Sequence, residues 1–208
     1  MINFILQTVV IMALSIIVSY IISKPISLFI KYEKELPNKY LNKIESALFK
    51  ILGIDRNISM NYKQYFLSLI ILNSIFIIFD TIFLMFQNKL SFIGPKYPGL
   101  SFDLAFNTAI SFVTNTNLQH YIGELSLSLT SQMLVIITTM FIGPSSGLAS
   151  SLAFIRGFLR KSNSIGNFYV DFMRSLIFLI LPISIISSII LVILGVPQTF
   201  SPFYNISS

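Results

Sequence analysis

Apolar residues fill four long blocks of this chain: Ile2 to Ser23, Tyr65 to Phe86, Ser126 to Phe154 and Phe172 to Leu194. As helices rising about 1.5 Å per residue, each is long enough to cross a hydrocarbon core of about 30 Å. Gly143-Pro144-Ser145-Ser146-Gly147 interrupts the third block, Pro182 stands inside the fourth, and Gly195 and Pro197 end it. A proline removes one helical hydrogen bond, so both sites predict a kink. At Pro144 two readings stand: a gating hinge or unwound stretch, and a packing kink with small residues against a neighbouring helix. A fifth apolar run, Phe102 to Val113, reaches only about 18 Å as a helix, too short to span. Ser101 stands at the expected N-cap and Asp103 in the first turn, both favourable at a helix start. The uncharged run Thr114-Asn115-Thr116-Asn117 follows. A half-length helix ending in polar residues between true spans predicts a re-entrant pore loop, because irregular backbone at membrane depth must be buried in protein or line water. The expected fold is an all-α membrane protein with four transmembrane helices and one re-entrant pore helix with its filter loop.

The segments between the blocks are polar. Lys24 to Lys63 carries most of the charge, with Pro25 and Pro37 as punctuation. Within it Leu41, Ile44, Leu48, Ile51 and Leu52 recur at helical spacing, with Lys43, Glu45 and Lys50 off that stripe. This predicts an amphipathic helix at the membrane interface or docked on the bundle, stopped by Gly53. Either it anchors the loop or it meets a partner subunit. Asn88 to Leu100 turns the chain through Pro95 and Pro98, and Arg156 to Arg174 reads as a short basic loop. Asp171 and Arg174, three apart at the next helix start, are spaced to pair. The first block has no basic residues before it and no small-residue cleavage site after it, so it reads as a retained helix rather than a signal peptide.

Charge orients this arrangement. Twelve of the 14 Lys and Arg residues lie before the second block or between Arg156 and Arg174, leaving Lys89 and Lys96 on the other side. The positive-inside rule then places both termini and the pore-loop segment outside the cell. The net charge of +6 belongs to these borders and does not signal nucleic-acid binding. Only 11% of residues are charged, which excludes an ordinary soluble domain. Cysteine is absent and His120 is the single histidine, which removes thiolate chemistry and multi-histidine sites. With no G-x-S-x-G and no H-E-x-x-H, an intramembrane hydrolase has no motif to rest on. Asp80, inside the second block, is an ion-binding candidate by depth, or a structural acid reaching headgroups or Lys89.

The chemistry concentrates at Thr114, Asn115, Thr116 and Asn117. The C-terminal end of the short helix carries about half a negative charge, which favours a cation. The run adds backbone carbonyls and neutral side-chain oxygens. Divalent ions call for carboxylates, and the run has none, so a monovalent ion such as potassium fits it best. The competing reading is a polar extracellular turn, which leaves the apolar half-helix unexplained. Gln119, His120 and Glu124 either line an outer mouth, with Glu124 as an attracting charge, or make packing hydrogen bonds. One loop cannot enclose an ion, so other walls must come from further repeats or copies.

The string SFVTNTN with Gln119, Tyr121, Gly123-Glu124, Leu127-Ser128 and Ser131-Gln132-Met133 resembles the potassium-binding A subunit family of the Kdp potassium-transporting ATPases. The similarity continues through Ser146-Gly147, Arg156, Arg160, Gly166-Asn167, Asp171 and Arg174. It also reaches back to Leu48-Phe49, Gly53, Met60 and Lys63-Gln64-Tyr65. Leu118, His120, Ile122, Asp80 and Pro144 depart from the family pattern. The resemblance implies an extra N-terminal helix (2–23), a first helix–pore loop–helix repeat (65–154) and the first helix of a second repeat (172–195). Four such repeats would surround the ion path, with Thr114 to Asn117 as one of four filter walls. It further implies a non-hydrolytic subunit that binds external potassium and passes it to a P-type ATPase subunit, with two small subunits completing the complex. Family members are more than twice as long, so a truncated or split product is expected. A homo-oligomeric potassium channel and an inactive fragment or interaction protein are the alternatives.

Overall fold

The computed structural model describes residues 2–31, 35–159 and 165–196. Glu33, Lys34, Arg160, Lys161 and Pro197 fall outside them. Among the described residues all regular structure is helical, and four helices are long and apolar enough to cross a membrane: Ile5–Lys31, Tyr62–Met85, Leu129–Leu159 and Phe168–Ile193.

Helix α1 (Ile2–Lys31) is longer than its apolar block, continuing through Pro25. From Ile5 to Ile21 its residues are exposed. Only its far end docks, with Phe29 buried against Leu36 and Leu152. Helix α2 (Lys39–Leu52) starts on the Asn38 side chain, which accepts from Tyr40 N at 2.9 Å, and ends on Gly53 at φ 67°. The helix is where its periodicity places it, but its inward face is not. Ile51 is 80% exposed, whereas Glu45 is 1% exposed and Phe49 is buried beside it. The reason is charge. Arg174 Nη2 donates to Glu45 Oε2 at 3.2 Å, its Nε donates to Glu45 Oε1, and Arg56 Nη1 stands 3.6 Å from Oε2. A carboxylate held by two guanidinium groups can face inward.

Helix α3 (Tyr62–Met85) opens with a capping box. The Asn61 side chain accepts from Gln64 N, and the Gln64 side chain accepts from Asn61 N, both at 3.0 Å. The short α4 (Gln87–Leu90) and an irregular segment (91–101) lead to α5 (Phe102–Val113), which packs along α3. Two single turns, α6 (Gly123–Ser126) and α7 (Leu129–Ser131), precede a π-helical turn at Gln132–Ile137 and then α8 (Thr138–Leu159). Helix α8 runs unbroken through Pro144, so the chain is not unwound there; the irregularity lies about two turns earlier, in the π-helical segment. Helix α9 (Phe168–Ser175), a second π-helical turn (Leu176–Ile180) and α10 (Leu181–Ile193) complete the fold. Pro182 falls in the first turn of α10, so the widened turn before it absorbs the missing hydrogen bond.

Most of the charged residues collect at one end. Arg156 is not in a loop but in the last turn of α8, and it is buried. It grips Asp171 with two hydrogen bonds, Nη1 to Oδ2 at 2.5 Å and Nη2 to Oδ1 at 2.9 Å, and Nη2 also donates to Phe29 O at 2.8 Å. Tyr65 OH donates to Asp171 Oδ2 at 3.0 Å. Asp171 is thus hydrogen-bonded to Arg156 and Tyr65 rather than to Arg174, whose guanidinium reaches across to Glu45. The two carboxylates tie α1, α2, α3, α8 and α9 together above a core of Tyr65, Ile142, Ala149, Phe168 and Phe172. Asp80 has neither headgroup access nor Lys89: it is 1% exposed, and neither oxygen has a hydrogen-bond partner among the described residues.

Candidate ion-binding loop

The opposite end holds α5 and its turn. Buried Gln87 organises the approach. Its amide nitrogen donates to Pro98 O at 2.6 Å and Ser126 O at 2.9 Å, while its oxygen accepts from Ser128 N at 3.2 Å and Ser131 Oγ at 2.8 Å. Leu100 N donates to Leu84 O at 3.1 Å, and Gly99 lies so close to α3 that a Cβ there would stand 1.9 Å from Met85 O. These contacts fix where α5 begins. Ser101 occupies the cap position in extended backbone, but its side chain makes no cap hydrogen bond, unlike the expectation from sequence. Along α5, Ala105, Thr108, Ala109, Phe112 and Val113 are buried, and Ala105 packs with Phe83 and Leu84 of α3.

The other end of α5 meets α8 at Gly143. A Cβ at Gly143 would lie 3.0 Å from Phe112 O, 3.1 Å from Val113 O and 3.2 Å from Asn115 Cβ. The small residues around Pro144 therefore receive a neighbour. This is the packing reading of that segment, since the helix is intact. Gly143 stands near the midpoint of the Leu129–Leu159 span, so the 12-residue α5 ends halfway along a membrane-length helix.

There the backbone changes hand. Asn115 has φ 63° and Asn117 φ 57°, the left-handed region that asparagine tolerates better than most side chains. Successive amides turn inward: Thr116 N donates to Ser111 O at 2.8 Å, Asn117 N to Ser111 O at 3.1 Å and Leu118 N to Ser111 Oγ at 2.6 Å. In a trans peptide the carbonyl points opposite to the following N–H. The carbonyls of Asn115, Thr116 and Asn117 therefore point away from α5, on a face where residues 114–120 are exposed. Thr114 Oγ1 donates to Ile110 O at 2.7 Å and lies 3.3 Å from Thr116 Oγ1. The turn so presents carbonyl and hydroxyl oxygens, all uncharged, beside the negative end of a helix dipole.

Of the residues singled out in the sequence, Thr114, Asn115, Thr116 and Asn117 form this one turn. Gln119 and His120 follow it, exposed, and the Gln119 amide nitrogen would lie 3.3 Å from a Cβ on Gly123. Glu124 is exposed on α6, where its carbonyl accepts from Tyr97 OH at 3.1 Å. Tyr121 anchors the return, its hydroxyl 3.2 Å from Thr108 Oγ1, and burial pushes its phenol above the ordinary pKa. No role was anticipated for Ser111 or Gln87, and for Gly143 the expectation named a neighbouring helix but not the end of α5. Each is a common residue type whose role depends on backbone groups distant in sequence or on helix orientation.

Residues 9–208 match the family model described as the potassium-transporting ATPase A subunit. Curated relatives named potassium-transporting ATPase potassium-binding subunit include one from Caldanaerobacter subterraneus, 38% identical over 185 residues and covering 87% of this chain and 33% of the relative. The Clostridium botulinum protein is 36% identical over 208 residues, covering 100% of this chain and 36% of its own length. One from Leptospira interrogans is 45% identical over 159 residues, covering 76% of this chain and 28% of its own. The chain spans about a third of the length of these relatives. It belongs to the potassium-transporting ATPase A subunit family.

Proposed function

We propose that this chain contributes one wall of a potassium-binding filter, as the N-terminal part of the potassium-binding subunit of an ATP-driven uptake system. The observation that carries the reading is the turn at the end of α5. Three consecutive amides fold back onto Ser111, and the opposed carbonyls of Asn115, Thr116 and Asn117 face outward. Potassium is the ion named for the relatives, and neutral oxygens that replace a hydration shell suit it.

In this reading the α1 segment (2–23) is an accessory helix, residues 65–154 are a first helix–pore loop–helix unit, and 172–195 open a second. The basic end faces the cytoplasm, and α5 enters from outside with its turn at mid-membrane depth. Gln119, His120 and Glu124 line the outer approach. The other filter walls come from the remaining repeats, which other polypeptides supply. The chain breaks no bond. A P-type ATPase subunit does the work of moving the ion, on the order of 2.3 kcal/mol per charge per 100 mV, and small subunits complete the membrane complex.

The test is potassium transport by vesicles containing the chain with its partner subunits. Asn115→Ala and Thr116→Ala are each expected to raise the apparent KM for potassium about ten-fold or more, since each disturbs a ligand or the left-handed turn that aims one. Unchanged affinity and ion discrimination in both variants would remove the assignment.

A further inference from the structure

We infer that Ser111 is the positioning residue for the ion-binding turn, and that its hydroxyl sets ion discrimination without touching the ion. This rests on the filter reading above. Ser111 is buried in the last turn of α5, two residues before the helix ends. Its two oxygens receive all three amides that follow the first left-handed residue: the carbonyl takes Thr116 N and Asn117 N, and the hydroxyl takes Leu118 N at 2.6 Å. Any residue has the carbonyl. Only the hydroxyl is specific to the side chain, and it holds the last amide of the series.

That bond fixes the peptide between Asn117 and Leu118. A planar trans peptide turns as a unit, so anchoring the Leu118 N–H inward aims the Asn117 carbonyl outward. Asn117 sits at φ 57°, a conformation that costs energy outside glycine and must be held by its surroundings. The Asn117 N–H is held by Ser111 O, but on the following peptide the Asn117 side chain has little grip: its amide makes only long contacts, to Asn115 Oδ1 at 3.4 Å and Asn115 O at 3.5 Å. Without the Ser111 hydroxyl the peptide is free to flip, which replaces an outward carbonyl with an outward N–H. A donor facing the ion repels it. The hydroxyl therefore selects which of two peptide orientations faces the ion path.

The experiment measures potassium and rubidium KM and maximal rate in vesicles holding the assembled complex. Ser111→Ala is expected to raise the potassium KM about five-fold, the equivalent of one lost hydrogen bond, and to narrow the potassium–rubidium difference. The maximal rate is expected to stay within about two-fold, because the chemistry lies in another subunit. Ser111→Thr keeps the hydroxyl and is expected to restore the parent affinity. If Ser111→Ala does not accumulate, Ser111→Cys serves in its place, since it keeps the volume with a weak acceptor and is expected to raise KM in the same direction. Parent-like KM and discrimination in the Ala or Cys variant, alongside a raised KM in Asn115→Ala, overturns the role of Ser111 and leaves the filter reading intact. Parent-like behaviour in all of these variants overturns both.

Discussion

Asp80 is the residue at which this chain departs most from sound membrane-protein practice. Glu45 and Asp171 are equally buried, but each is gripped by an arginine. Asp80, inside α3, has no such partner among the described residues. A buried polar group without hydrogen bonds costs roughly 1–3 kcal/mol by mutational measures, and a charge costs more. Leucine has the same branching, with a methyl in place of each oxygen. Asp80→Leu is therefore expected to stabilise the detergent-solubilised chain by about 1–3 kcal/mol, read as a higher unfolding midpoint. A lower midpoint would mean that the carboxyl is satisfied within the folded chain. Position in an apolar run was enough to single Asp80 out, but its lack of a partner was not legible. Lys89 is nine residues on, yet it lies past the end of α3 with its side chain in solvent.

At the scale of elements, what local sequence dictates was legible. Gly53 stops α2 in the left-handed region, and α5 has the length and bounds its apolar run indicates, whereas the side-chain caps fall on Asn38, Asn61 and Asn167 and not on the expected Ser101. What depends on distant partners was not. The inward face of α2 is chosen by Arg174, 129 residues away from Glu45, against the hydrophobic stripe. The π-helical turns before α8 and α10 leave no periodic signature in a uniformly apolar stretch. The placement of α5 depends on Gly99, whose backbone rides against Met85 O. A Cβ at 1.9 Å from a backbone oxygen cannot be accommodated without moving the segment that positions α5. Gly99→Ala is expected to cost at least about 2 kcal/mol and to reduce the amount of folded chain recovered from membranes. Parent-like recovery and thermal stability would show that α5 is positioned by other contacts, with Gln87 the first candidate.

For the whole molecule, two polar assemblies divide the labour. The paired arginines and carboxylates lock five helices at the basic end. The hydroxyl and amide network around Gln87 sets the loops at the other. Breaking a buried pair of the first kind typically costs 3–5 kcal/mol, so the bundle is held firmly where α8 and α9 meet. Between the two ends, α5 reaches the middle of the Leu129–Leu159 span and stops at a turn of outward carbonyls. The site was legible as a motif because its oxygens are contiguous in sequence. Its aim was not, because Ser111, Gly143 and the hand of the backbone at Asn115 and Asn117 act in three dimensions. The exposed flanks of α1 and α10 and the single carbonyl turn are in keeping with a chain that spans about a third of its relatives.

That this turn faces an external potassium path is directly testable, because the chain has no cysteine. Leu118 is 64% exposed beside the turn. With Leu118→Cys as the sole thiol, in cells carrying the chain with its partner subunits, a membrane-impermeant thiol reagent added outside is predicted to label the protein. Potassium is predicted to slow that labelling several-fold, about the effect of occupying a nearby site, while equal sodium leaves it unchanged. Labelling only from the cytoplasmic side, or at the same rate in potassium and sodium, would contradict the account.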